Sequence, residues 1–315
     1  MNTIEDFVKS SSLTVYETPM RLAALKSYWD RQALFGKDGS ADHFQMQGYY
    51  LSGLGLPVQR SPLEDITSQE LEELDSWLLT SIELAMGVDW DYSALEKLRQ
   101  PGIDGVKAYM SKVGTSVGES FGQALCILAS NILTSLFSST DYPAYDGQAI
   151  LDTHTLKDGA TTVDNDLAAG ALTADLYWDM IYYLMWSQRT YHGLYQKSKP
   201  WCMVLSPAGG NMELIWQIQK QKHVPGESSS FMDENFISAN SEYQPKIIWN
   251  PDLGDNERFM FGPKAKENFV FKIEKKLTTK TVDHDRNRTG SSLSHMKVLS
   301  GYKGDYIDAV GAPAA

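Results

Sequence analysis

Apolar residues recur every three or four positions from Ile103 to Leu136: Ile103, Val106, Met110, Val113, Val117, Phe121, Leu125, Leu128, Ile132 and Leu136. That spacing is one face of an α-helix and predicts a helix over 103–137, about 50 Å long at ~1.5 Å per residue. A second row lies on the same helix. Gly114, Gly118, Gly122, Cys126, Ser130, Thr134 and Ser138 place a small residue at every fourth position. Each interior glycine costs about 0.5–1 kcal/mol relative to alanine, so the three glycines predict a shallow groove that another element crosses at close range.

Shorter patterns flank this helix. An irregular stretch over 1–36 contains one amphipathic helix, Arg21 to Leu34. The run from Gln47 to Pro57 holds Gly48, Gly53 and Gly55 and does not sustain a helix. Leu71, Leu74, Leu78, Ile82 and Ala85 follow helical spacing, with Thr67 and Glu70 placed as a capping box; this predicts a helix over 68–79 and leaves 80–92 without an assigned element. Further along, the pattern predicts an aromatic helix from Leu172 to Tyr195, a buried strand from Trp201 to Ser206 and a helix from Met212 to Gln221. A long loop over 223–243 follows, then a strand from Lys246 to Asn250. Alternation of Phe259 and Phe261 with Phe269, Phe271 and Ile273 reads as a hairpin over Arg258–Glu274.

Charge is distributed unevenly. Residues 61–96 carry ten acidic residues and no lysine or arginine, whereas 258–303 carry eleven basic residues against four acidic ones. The acidic segment is either a solvated face or a surface that meets a basic partner, and the two charged regions can pair within one chain or between neighbouring copies. Over all 315 residues the net charge is −12, so the molecule as a whole lacks the basic footprint of a nucleic-acid binder, a balance that ordinary globular proteins share. Cys126 and Cys202 each lie in an apolar run and read as core thiols of a protein made in a reducing compartment. The first residues lack the basic start and apolar core of a signal peptide, and the apolar run from Ala124 to Phe137 is interrupted by Ser130, Asn131, Thr134 and Ser135, which argues against a membrane span.

Candidate chemistry is sparse. None of the six histidines sits in a metal-binding pattern, and there is no nucleophile elbow or phosphate-binding glycine loop. Asp146, Asp152 and His154 can be drawn as a metal cluster, but without a third donor at characteristic spacing they read as a turn and cap.

Directly after the long helix comes Asp146-Gly147-x-x-Ile150-Leu151-x-x-His154, then Asn165, Leu172-Thr173 opening a helix, Pro200, Leu205 and Pro207 around a strand, Pro225-Gly226 and Asn235 in the long loop, and Pro251-Asp252-Leu253-Gly254-Asp255 ahead of Phe259 and Phe261. This order, over roughly 100–315, resembles the major capsid proteins of tailed phages, in particular the Mu-like major head subunit group. The resemblance implies an α+β chain with the Hong-Kong-97-like fold: an N-terminal arm over 1–54, an extended loop over 55–92, a peripheral domain over 93–150 with 103–137 as its spine helix, an axial domain over 151–257, and return strands over 258–315. Asp152-Thr153 departs from the usual Phe-Ser, and the family would have a β-hairpin where the helical spacing of 68–79 lies.

What the resemblance implies for function is a structural subunit without catalysis or cofactor. It would assemble with itself into hexamers and pentamers around double-stranded DNA, alongside a scaffolding protein, a portal and a cement protein, in a virion capsid put together in the host cytoplasm without contact to a membrane. Expected contacts between copies are Glu72, Glu73 and Asp75 on the loop against Lys275, Lys276, Arg286 and Arg288 on the strands; Gly114, Gly118 and Gly122 serve packing of the spine, and Asp146, Gly147 and His154 form a turn. The lysine-free 61–96 segment predicts a shell without lysine–asparagine crosslinks. The competing readings are an encapsulin-type compartment and a soluble α/β metal-dependent enzyme using Asp146, Asp152 and His154.

Overall fold

A computed structural model describes residues 15–41, 44–52, 54, 70–91, 103–167, 169–220, 244–284, 289–304 and 308–313. In chain order the elements are α1 (Glu17–Ala24), α2 (Arg31–Phe35), β1 (Gly39–Ser40), β2 (Gln45–Leu51), β3 (Glu73–Asp91), α3 (Ile103–Thr134), β4 (Thr153–Thr155), β5 (Thr162–Asp164), α4 (Ala174–Tyr182), β6 (Cys202–Leu205), α5 (Asn211–Lys220), β7 (Lys246–Trp249), β8 (Arg258–Phe261), α6 (Ala265–Asn268), β9 (Phe269–His284), β10 (Thr289–Tyr302) and β11 (Ala309–Ala312). Strands form a five-stranded sheet in the order β1-β9-β10-β3-β2, a four-stranded sheet in the order β11-β8-β6-β7, and the β4-β5 pair.

The 32-residue α3, extended by a 3-10 turn over Ser135–Phe137, is the spine anticipated from the apolar spacing. By length and composition Gly105–Phe137 also passes as a membrane span, though the interrupted apolar run argues against one; half of its most apolar 18-residue stretch is buried inside the molecule. Val106, Met110, Val117, Phe121, Leu125, Ile132 and Leu136 are all buried in one core with α1, β8 and the β9-β10 ladder.

The glycine row carries α1. A Cβ on Gly118 would run into the carbonyl oxygen of Met20 and stand 2.8 Å from the Cβ of Ala23; one on Gly122 would stand 2.7 Å from the carbonyl oxygen of Lys26, and one on Gly114 would strike that of Tyr16. On its other side α1 meets the large sheet. Tyr16 OH lies 3.3 Å from Ser292 Oγ, and Met20 Sδ takes the hydroxyls of Ser294 at 3.5 Å and Thr279 at 3.6 Å. The first described residues of the expected arm are therefore the filling between spine and sheet.

Four expectations are corrected. The single helix over Arg21–Leu34 is two, α1 and α2, broken at 25–30, where Ser27 Oγ lies 3.0 Å from Cys126 Sγ. The helix expected over 68–79 is overturned in its described part, where Glu73–Leu79 open the strand β3: Gln45–Tyr50 pair with Thr80–Asp75, and Ser81–Asp91 pair with Leu299–Thr289. Spacing of four is even, so Leu74, Leu78 and Ile82 share one side of a strand as readily as of a helix. The hairpin expected over Arg258–Glu274 is two strands of different sheets. Pro263 offers no N–H to a ladder, Ala265 N donates to Gly262 O, and the short α6 redirects the chain. The aromatic helix ends early: α4 passes into a π turn over Tyr183–Ser187, and Gln188 is extended.

The four-stranded sheet is covered on both sides. Cys202, Val204, Phe259 and Phe261 face the spine core, while Met203, Leu205, Met260 and Val310 face α4 and α5. Phe261 and Tyr302 each meet Phe269 edge-on at 5.0 Å, which joins the two sheets.

Candidate assembly surfaces

The charged segments meet first within one chain. Glu83 of β3 stands opposite Lys297 of β10, and Lys297 opposite Lys275 of β9, so acidic and basic strands are neighbours in the same sheet. Glu73 and Asp75 lie in the half of β3 that pairs with β2 and are exposed. Asp75 Oδ1 accepts the N–H of Ser76 at 2.7 Å. Glu72 has a partner in its own chain, Lys157 Nζ at 2.8 Å, and that ammonium holds its carboxyl below the usual range. Lys275 and Lys276 are exposed on β9, whereas Arg286 and Arg288 lie outside the described residues, as does the 223–243 loop and Thr67 of the expected capping box.

Exposed apolar residues mark the same hairpin. Tyr49 and Leu51 on β2 are each 57% exposed, Leu78 on β3 56% and Ile82 44%. An exposed apolar ribbon on an edge of a sheet offers a template on which another chain can pair. Between the α1–α2 connection and the spine, Lys26, Ser27, Tyr28, Glu119, Gln123 and Ile127 line an open groove of about 440 Å³.

Asp146, Gly147 and His154 form a closed turn. Gly147 takes φ +77°, which a glycine adopts without strain, and Gln148 N donates to Asp146 Oδ1 at 3.2 Å. His154 is fully buried, with Nδ1 3.2 Å from both Asp146 oxygens and Nε2 3.1 Å from the carbonyl oxygen of Ile150. Partial burial pushes the Asp146 carboxyl up, but its bond to His154, that ring's charge and the Gln148 N–H outweigh this and leave it below its ordinary range. Both ring nitrogens of His154 already face oxygens, and Asp152 turns its Oδ1 to the N–H of Thr153 at 2.7 Å. The three residues of the metal reading thus do not converge, and among the described residues no group of three His, Cys, Asp or Glu is placed to hold a metal.

Asn165 ties this turn to the end of the chain, a role that nothing in its sequence context signalled. Its side chain accepts from Asp152 N at 2.8 Å and donates to Ile150 O at 2.9 Å and Ala309 O at 3.1 Å. Both cysteines are free and buried, and burial pushes the Cys202 thiol up.

Neither a protein-family model nor a curated protein sequence matches the chain. Its fold matches solved structures at low identity and over nearly full length. A structure from Microbacterium phage Oxtober96 aligns with TM-score 0.53 at 11% identity, covering 92% of each chain. The mature capsid of bacteriophage PhiM1 aligns with TM-score 0.50 at 12% identity, over 88% of this chain and 84% of that one. The virus-like particle of Pyrococcus furiosus aligns with TM-score 0.53 at 10% identity, over 94% and 97%. Spine helix, long β3 hairpin and separate four-stranded sheet together are the Hong-Kong-97-like capsid fold, and this chain has that fold.

Proposed function

We propose that this chain is the major capsid protein of a tailed double-stranded-DNA bacteriophage, a subunit that tiles an icosahedral shell as hexamers and pentamers and has no catalytic role. The observation that carries this reading is the near end-to-end alignment with subunits such as that of the PhiM1 mature capsid, which leaves little of the chain for another purpose. The exposed apolar residues of the β2-β3 hairpin support it, because a lone subunit gains nothing from them and a neighbouring copy covers them. Closed symmetry then repeats each weak patch around the capsomer.

In this reading 55–92 is the extended loop, 93–150 with 258–315 the peripheral domain, and 151–257 the axial domain. Residues 1–54 are an arm whose inner part is anchored under the spine. Membership of the Mu-like group, a separate scaffold, portal and cement protein, DNA as the content and assembly in the host cytoplasm belong to the same proposal. Negative-stain microscopy with gel filtration of the purified protein tests it: shells or capsomers are expected, and elution as a monomer or small oligomer under all assembly conditions overturns it.

The match to the Pyrococcus furiosus virus-like particle favours a second reading, an encapsulin-type compartment. The contents of purified shells separate the two: DNA for a phage head, a protein cargo for a compartment.

A further inference from the structure

Among the described residues two arginines are almost wholly buried, and only one of these has a counter-charge. Arg31, 1% exposed, donates Nη1 and Nη2 to the Asp38 carboxylate at 2.6 and 2.8 Å and lies over the ring of Phe271. Arg258, also 1% exposed, opens β8 between Leu205 of β6 and Ala312 of β11. Its Nη1 donates to the carbonyl oxygen of Gly170 at 2.8 Å, while Nε and Nη2 have no hydrogen-bond partner. Glu257, its neighbour in sequence, is turned elsewhere: its Oε2 accepts the N–H of Gly254 at 3.1 Å. A buried cation in this state is costly, and a protein keeps one where an anion completes it.

The two unpartnered donors specify the anion. Nε–H and Nη2–H are the adjacent, parallel pair of the guanidinium and together match two oxygens of one carboxylate or phosphate. The segment whose carbonyl takes Nη1 is itself open to solvent: Ala169 and Ala171 are exposed, and Gly170, at φ +147°, has open space where a side chain would stand.

We propose that Arg258 is the receptor of an oxyanion that enters beneath the Ala169–Ala171 segment and is held side-on by Nε and Nη2. The oxyanion is either a free phosphate or the carboxylate of a second copy of this chain, and the two sources give different results in one experiment. Thermal unfolding of the unassembled subunit is followed during titration with inorganic phosphate at constant ionic strength, for the natural protein, Arg258→Met and Arg258→Lys, and particle yield is scored for each. A saturable rise in Tm that is lost in Arg258→Met and at least tenfold weaker in apparent affinity in Arg258→Lys assigns the site to free phosphate. No rise with phosphate, together with an Arg258→Met subunit that folds with equal or higher Tm yet yields no particles, assigns it to a neighbour's carboxylate. The same phosphate response in all three proteins, or no response together with normal particles from Arg258→Met, overturns the proposal. Should Arg258→Met not fold, Arg258→Lys is read on the same two measurements. A natural protein that never forms particles sinks the shell reading and leaves the phosphate titration to decide the site.

Discussion

Burial and the charges of Asp164 and Asp152 raise the Asp166 carboxyl to about 6, and its Oδ1 has no hydrogen-bond partner. The folded chain therefore holds this proton more tightly than the unfolded chain, where the group titrates near 3.8. Stability from this group is lost as pH rises from about 4 to about 6 and stays at the lower level above that window. Asp166→Asn is expected to melt with the natural protein at pH 4 and up to about 2 °C above it at pH 7, an effect limited by solvent screening at a partly exposed site. Calorimetry at the two pH values checks this, and an unchanged difference between them would refute it. His154 is a residue of another kind: both of its nitrogens and the whole ring are committed to holding the Asp146–Ile150 turn.

At the scale of elements, the packing of α1 on α3 is set by what the spine lacks. Gly118→Ala improves the helix propensity of α3 by close to 1 kcal/mol, yet its methyl would occupy the space of the Met20 carbonyl and the Ala23 side chain. Overpacking of this kind costs about 1–3 kcal/mol, so Gly118→Ala is expected to lower Tm and Gly118→Leu to give aggregates or no particles. Ser116→Ala, at an exposed position of the same helix, is the control and should raise Tm slightly. A Gly118→Ala protein as stable as that control would mean that α1 shifts away at no cost.

For the whole molecule, the proposed shell is held in part by charge. Lys275 and Lys276 are exposed, so Lys275→Glu with Lys276→Glu should leave the melting curve of the subunit nearly unchanged and still block assembly. Exposed ion pairs contribute about 0–1 kcal/mol each, which matters through repetition, and added salt should slow assembly of the natural protein. Normal particle yield from the double variant would place those contacts elsewhere. A second expectation concerns covalent bonds. With no lysine over residues 61–96, the extended loop has no amine to join to a neighbour's asparagine, and its carboxylates keep any approaching ammonium charged. Boiling particles in denaturing detergent should release one band near 35.2 kDa; a ladder that survives reducing agent would contradict this.

The spine is legible because consistent spacing from Ile103 to Leu136 admits one answer, and the glycine row beside it signals a close crossing without naming the element that crosses. Cys202–Leu205 and Lys246–Trp249 were likewise readable as short apolar runs. β3 is not legible in the same way, although Leu74, Leu78, Ile82, Leu84, Met86 and Val88 all fall on even positions, a strand pattern hidden by the four-residue steps that a helix shares. Only pairing with β2 and β10 decides between the two, because a strand is stabilised by partners distant in sequence and a helix by its own turns. For the same reason the sequence could not place Phe259 and Phe269 in different sheets, nor tell that Glu72 meets Lys157 and that Asn165 joins Ile150 to Ala309. By itself the sequence determined the local elements whose hydrogen bonds close within a few residues, and the charge each segment carries. Tertiary structure alone decided which strands share a sheet and that α1 fills the glycine groove. It also left one buried arginine paired and the other open, since each of these depends on where remote parts of the chain come to rest.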